Sequence, residues 1–142
     1  ERTQVLIREA KEACSPLSLI VLDIDHFKRV NDNYGHSMGD AVLVAVATVL
    51  SEHIGKSGVV ARMGGEEFMV VLPGIDEFTG SGIAEKTREI IEDLEPCGLS
   101  VTASFGIAQL RPEESYESLF GRADSAMYEA KRAGRNQVVS AE

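Results

Sequence analysis

An α/β layer around a mixed sheet is the fold class this sequence predicts, and three observations predict it. Apolar runs of strand length alternate with segments whose apolar residues keep helical spacing, in a βααββαβαβ-like series. Gly64-Gly65 falls between two of those runs, which is hairpin chemistry because glycine accepts positive φ. The chain of 142 residues, 44% apolar, is the size of one globular domain with a real core.

The elements follow in order. The first dozen residues are charged and read as a helix, or as the end of one begun upstream. SLIVLD, Ser18 to Asp23, is a β-branched apolar run with the length of a buried strand. DIDHFKRVNDNYGH then gives an acidic start, a short helix from His26 to Asn33 and a glycine stop. From Ser37 to Ile54, Leu43, Val46, Ala47, Leu50 and Ile54 keep helical spacing, and further valines on the flanks predict a largely buried helix. GVVARM and EFMVVL are the two strands of the hairpin. Ile83, Thr87, Ile90, Ile91 and Leu94 mark another helix, and Val101 to Leu110 a strand. Tyr116, Leu119, Phe120, Ala123, Ala126, Met127 and Ala130 stripe a last amphipathic helix that Gly134 should stop, before NQVVS closes with a short strand. No repeat, linker or low-complexity segment interrupts the series.

Charge narrows the function. With 23 acids against 14 bases the formal net charge is −9, so a general nucleic-acid or anionic-membrane surface is not expected. A small anionic ligand stays open if a few local cations and a metal serve it. Cys14 and Cys97 have neither metal nor redox spacing and read as free thiols in loops or packing, in a reducing compartment. The longest apolar run, Ala41 to Ala47, is too short to span a bilayer, so no direct membrane insertion is expected. A start at Glu1 rather than Met suggests a piece of something longer.

The carboxylates carry the chemistry. Asp23 falls at the end of the first strand, and Glu66 and Glu67 at the hairpin tip. Neighbouring strand ends can bring these acids together, where they repel unless a cation joins them; Mg²⁺ is the usual one, held with substrate phosphates. An ordinary exposed acidic hairpin is the alternative. The short helix at His26 leaves its first N–H groups free for an anion. Asn31 and Asp40 add an amide and a carboxylate suited to guanine's N–H donors, against the plainer roles of helix-exit turn and N-cap. Lys131 and Arg135 are cations at a helix C-terminus, where dipole partners and salt bridges are ordinary. Gly55-Lys56-Ser57 is not a P-loop, because Leu50 stands where the opening glycine belongs. His36 and His53 lack partners at metal-ligand spacing, Met127 and Tyr128 belong to a packed helix, and Arg62 with Asp124 is a candidate structural ion pair.

Taken together, DIDHFKRVNDNYGHSMGD, ARMGGEEF, ASFGIA and ADSAMYEAKRAGRN resemble the GGDEF family, the diguanylate cyclases, in order and spacing over nearly the whole chain, with GGEEF as signature variant. The resemblance implies a nucleotidyl-cyclase or polymerase-palm-like α/β domain with a central five-stranded mixed antiparallel sheet surrounded by helices. It implies condensation of two GTP into cyclic di-GMP with release of two pyrophosphates. Asp23 and Glu67 look like the carboxylate ligands of Mg²⁺, or of Mn²⁺ in its place, with the Ile24 carbonyl beside them and Glu66 close by. Glu66 resembles the signature acid that activates the 3′-hydroxyl. Backbone N–H groups around His26, Phe27 and Lys28 would hold phosphates, Asn31 and Asp40 would read guanine, and Lys131 and Arg135 would meet the triphosphate. Gly64 and Gly65 would let the nucleotide lie over the hairpin. Family members making mixed adenine–guanine dinucleotides have a smaller residue at the position of Asp40, so aspartate implies GTP at both sites.

Residues 1–142 are then one such domain, excised from a longer multidomain protein with an upstream sensory or receiver domain, cytoplasmic or the cytoplasmic portion of a membrane receptor. One domain binds one GTP, so a second copy related by a two-fold axis must complete the reaction, in a transient or regulated homodimer. Two departures stand out. Gly55 and Gly58 replace the outer residues of the family's RxxD product-inhibition site, which implies weak or absent inhibition there. The leucine-threonine-glycine-leucine stretch near the family's domain start is missing. The competing readings are a non-catalytic module that binds GTP or cyclic di-GMP, and a cyclase acting on one nucleotide or on ATP. The intact acids and cations oppose the first, and Asn31 with Asp40 the second.

Overall fold

The β-branched, leucine-rich run near the N-terminus forms the centre of the structure, a computed structural model that describes residues 2–142. Strand β1 (Leu17–Ile24) is buried along its whole length, because it is the middle strand of five and both of its faces are covered. Helix α1 (Arg2–Ala13) precedes it, with Glu1 outside the described residues. Then come α2 (Phe27–Tyr34), α3 (His36–Ile54), the hairpin β2 (Val59–Gly64) and β3 (Glu67–Pro73), α4 (Glu77–Leu94), β4 (Ala103–Gln109), α5 (Tyr116–Arg132) and β5 (Val138–Ser140).

The sheet order is β2-β3-β1-β4-β5. All pairs are antiparallel except β4 with β5, so the sheet is mixed, as the sequence predicts. Side chains alternate across a strand, and β1 shows it. Ile20, Leu22 and Ile24 join the core under α2, α3 and α4, whereas Leu19 and Val21 join Ile7, Leu119, Ala123 and Met127 under α1 and α5. Asp23 keeps the parity of Leu19 and Val21 and so belongs to the α5 face.

Helix α5 lies very close to β4. A Cβ at Gly106 would stand 2.1 Å from the Ala123 carbonyl oxygen and 2.3 Å from the Met127 nitrogen, so only glycine admits this approach. Ser115 caps the helix by accepting the Ser118 N–H at 3.1 Å. Gly134 (φ 122) follows the helix end, as expected.

The structure departs from expectation in three places. Helix α3 buries one face only: Val42, Val46, Leu50 and Ile54 are enclosed, but Val44 is 65% exposed, because this helix is packed by α2, α4 and β2 from one side. It is long and apolar enough to cross a membrane by composition, yet that apolar face is spent on the core. Strand β4 begins at Ala103 rather than Val101, although the Thr102 carbonyl still accepts the Asp25 N–H at 2.8 Å. A short 3₁₀ turn at Pro96–Gly98 was not anticipated; Glu95 and Cys97 flank and enter it with φ of 46° and 53°.

Candidate active site

Antiparallel register does what the sequence could only suggest. It sets Asp23 at the end of β1 directly opposite Glu67 at the start of β3. The β2–β3 turn closes through Gly64 (φ 151) and Gly65 (φ 56), with a register shift between Arg62 and Gly64. Arg62 Nε donates to the Gly65 carbonyl at 3.0 Å and holds the turn, so the expected Arg62–Asp124 ion pair is not among those formed by the described residues. The Ile24 N–H donates to the Glu66 carbonyl at 3.3 Å. Asp23, Glu66 and Glu67 thereby line one cleft of about 290 Å³ with Met63, Gly64 and Tyr128. A Cβ at Gly64 or Gly65 would meet nothing within 4 Å, so the hairpin is open to a ligand.

These acids are electrostatically uncomfortable. Burial pushes the Asp23 carboxyl up to about 6; the Lys131 ammonium opposes the shift, and Glu66 and Asp25 add to it. Glu67 is raised by burial and then by Asp124, Asp23 and Glu66. Lys131 Nζ lies 3.2 Å from Asp23 Oδ2. Asp23 Oδ1 is buried with no hydrogen-bond partner, a costly state for a carboxylate oxygen. The donor set fits a hard divalent cation. Among the described residues no three acids, histidines or cysteines close into a cage, so such a cation would take further oxygens from a substrate, the usual habit of Mg²⁺.

The second arm begins two residues on. His26 adopts a left-handed conformation (φ 57), and its carbonyl receives the Arg29 and Val30 N–H groups at 3.0 and 3.3 Å. The N–H groups of His26, Phe27 and Lys28 have no partner at hydrogen-bond geometry among the described residues, which leaves them for an anion. The His26 imidazole is exposed and is held below its ordinary pKa by slight desolvation and by the cations of Arg29 and Arg135. Lys28 points elsewhere, into an exposed pair with Asp32 at 3.8 Å.

Asn31 and Asp40 come from two helices that touch at a glycine. A Cβ at Gly39 would fall 1.9 Å from Asn31 Oδ1, so the Asn31 side chain lies against the backbone beside Asp40. Asn31 lies in the last turns of α2, its carbonyl accepting the N–H of the capping Gly35 at 2.8 Å. Asp40 is inside α3 rather than at its N-cap, which is Gly35. It is exposed and lines a cleft of about 380 Å³ with Leu43, Val44, Ala47, Arg62 and Phe68. At the other end of β2, a Cβ at Gly58 would stand 2.1 Å from the Val71 carbonyl oxygen, so no aspartate fits there without moving β3.

Three features escaped the sequence. Asp25 is 4% exposed and its carboxylate accepts hydrogen bonds from Thr102 Oγ1 (2.7 Å), Ser104 Oγ (2.6 Å) and the Asn136 N–H (3.0 Å). Its i,i+2 spacing from Asp23 was the available signal, since it places both acids on one face. Asp124 lies near enough to Glu67 to raise it, and is itself raised by burial. Tyr128, expected to be packed, is 49% exposed on the cleft rim, while Met127 is enclosed.

A family model described as diguanylate cyclase, GGDEF domain, matches residues 1–137. The chain is 44% identical over 128 residues to diguanylate cyclase DgcP of Pseudomonas aeruginosa, an alignment covering 86% of this chain and 19% of that protein. It is 46% identical over 132 residues to diguanylate cyclase VdcA of Vibrio cholerae, covering 87% of this chain and 38% of that one. It therefore spans about a fifth to two fifths of the length of these curated relatives. Among solved structures, the active GGEEF domain of a Vibrio cholerae diguanylate cyclase superposes with a TM-score of 0.94 at 31% identity, covering 99% of this chain and 92% of that one. The GGDEF domain of Caulobacter crescentus DgcB in complex with c-di-GMP superposes with a TM-score of 0.93 at 36% identity, covering 99% and 84%.

Proposed function

We propose, from the premise that this chain belongs to the diguanylate cyclase GGDEF family, that it condenses two GTP into cyclic di-GMP with release of two pyrophosphates. The observation that carries this reading is Asp23, which lines one cleft with Glu66 and Glu67 and whose buried Oδ1 has no hydrogen-bond partner. A carboxylate left in that state at a strand end calls for a cation and for the anion that arrives with it.

Asp23 and Glu67, with the Ile24 carbonyl, would hold Mg²⁺ or Mn²⁺; when bound, it offsets phosphate charge and polarises the α-phosphate toward attack. The N–H groups of His26, Phe27 and Lys28 receive phosphate oxygens at the start of α2. Lys131 and Arg135 offset the charge that grows on the departing pyrophosphate. Asp40 and Asn31 accept from and donate to the guanine edge, which selects GTP over ATP. Glu66 takes the proton from the 3′-hydroxyl as its oxygen bonds to the α-phosphorus of the facing nucleotide and the α–β bridging bond breaks. Two such steps close the ring.

A single chain offers one set of these groups, so the facing nucleotide comes from a second copy across a two-fold axis. Gly55 and the crowded Gly58 leave no product-inhibition site at the end of β2. We also place residues 1–142 as one domain of a longer cytoplasmic or receptor-borne protein, with the input domain upstream.

The test is incubation of purified chain with GTP and Mg²⁺, with chromatography for cyclic di-GMP and parallel ATP and Glu67→Ala reactions. Product from GTP alone, lost in the variant and rising faster than linearly with protein, is expected. GTP binding without product would instead favour a regulatory binding module.

A further inference from the structure

Three consecutive residues after α5 have positive φ: Gly134 (122°), Arg135 (66°) and Asn136 (50°). Glycine accepts this readily. Two L-residues in succession do not, and such a pair persists only where its surroundings over-determine it. The surroundings here are specific. The Arg135 N–H reaches back to the Ala130 carbonyl at 2.9 Å, and the Gln137 carbonyl accepts the Phe105 N–H at 2.9 Å. Between them Asn136 is held from two sides. Its side chain receives Arg88 Nη1 at 2.9 Å and donates to Glu92 Oε2 at 2.9 Å, both on α4. Its backbone N–H goes to Asp25 Oδ2 at 3.0 Å.

Asp25 is equally committed on its own side. Its N–H is bound by the Thr102 carbonyl at 2.8 Å, and its carboxylate is shared among Thr102, Ser104 and Asn136. It is buried and immediately precedes His26, whose turn offers the free N–H groups. One enclosed carboxylate therefore joins the turn with the free N–H groups to the loop that carries Arg135.

We propose that Asp25 is a positioning residue for triphosphate recognition: by accepting the Asn136 N–H it locks the left-handed Arg135–Asn136 pair and aims the Arg135 guanidinium at phosphates bound over the His26 turn. This rests on the GTP reading above. It assigns the second acid of DID a role separate from that of Asp23, and predicts that Asp25 acts on phosphates through Arg135 alone.

Isothermal titration of the folded chain with GTP and with GMP tests it, because GMP lacks the outer phosphates. Asp25→Ala should weaken GTP about tenfold, the scale of one charge-assisted phosphate contact, and leave GMP within about twofold of native. Adding Arg135→Ala to Asp25→Ala should cost less than about twofold more, since coupled residues do not add. A loss that acts through Asp23 or Ile24 would multiply with Arg135→Ala and overturn the inference, as would equal losses for GTP and GMP. Asp25→Asn should keep the native GTP-to-GMP ratio within about threefold, its oxygen toward Asn136 and its amide toward the Ser104 hydroxyl. In the native chain the Asn136 amide should exchange at least about a hundredfold slower than an unstructured amide. Free exchange of that amide overturns the clamp even where Asp25→Ala does not fold. A native chain that binds no GTP removes the function and this inference together, whereas native binding with Asp25→Ala unchanged removes this inference only.

Discussion

Helix α5 meets one acid near each end, and the two are treated in opposite ways. Near its start Glu114 is 7% exposed and accepts Arg122 through both oxygens at 2.7 Å, with Ser118 Oγ at 2.8 Å and the Arg111 N–H at 3.2 Å. Arg122 also donates to the Gln109 carbonyl at 2.7 Å, so every group is satisfied. The Arg122 guanidinium foremost, then Ser118 and the Arg111 amide, hold the Glu114 carboxyl down at about 2 against its burial. Near the far end Asp23 is 8% exposed, but it has one cation at 3.2 Å, one bare oxygen and acidic neighbours, and its carboxyl rises to about 6. Exposure to solvent is nearly the same in both places. Desolvation is the largest cause of the shift at Asp23, whereas at Glu114 a complete partner set outweighs it. The complete pair fastens helix to sheet, and the incomplete one is where the proposed function puts a ligand.

The sharpest way to break this contrast is Asp23→Asn. Turnover to cyclic di-GMP should fall about a thousandfold, ~4 kcal/mol of barrier. In the absence of divalent cations the same variant should be more stable than native at pH 7, by about 1–3 kcal/mol in urea titrations. The sign follows from the raised carboxyl: its favourable contribution is complete below pH 3.8 and is lost as pH rises through about 6. The gain of the variant should therefore fade toward pH 4, and a less stable variant at pH 7 would end the comparison.

Glu114→Gln should do the reverse. It leaves Arg122 buried without its counter-charge and should cost about 3 kcal/mol of stability, with turnover per folded molecule within about twofold of native. The same pair can be read by pH. Its carboxyl is lowered from 4.5 to about 2, so the stabilisation is full above pH 4.5 and disappears as pH falls toward 2. Native chain should lose about 2–3 kcal/mol across that window in urea titrations, and Glu114→Gln should lack this component. The smallest effect is expected at Lys131→Met. The KM for GTP should rise about tenfold, ~1.4 kcal/mol. An unchanged KM would show that Lys131 serves Asp23 alone.

Most elements were legible in the sequence because local rules wrote them. The apolar run of β1, the glycine stops at Gly35 and Gly134, the hairpin at Gly64-Gly65 and the stripe of α5 each need only neighbouring residues to be read. The candidate acids were visible as residue types at strand ends, and four motifs in register identified the family. The same local rules misjudged α3, Tyr128 and Arg62. Periodicity shows that a helix has an apolar face, but coverage of that face depends on neighbours distant in sequence, and α3 had a sheet on one side only.

Sequence by itself thus determined the order of the elements, the family and the inventory of acids and cations, since these depend on local periodicity and motif spacing. Tertiary structure alone decided that Asp23 faces Glu67, that Glu114 closes on Arg122 and that Asp25 holds Asn136. The last of these contacts joins residues 111 positions apart. Partners so distant are chosen by strand register and by how closely α5 approaches at Gly106. Hydrogen-bond satisfaction, and with it the direction of each pKa shift, follows from that geometry and from nothing local.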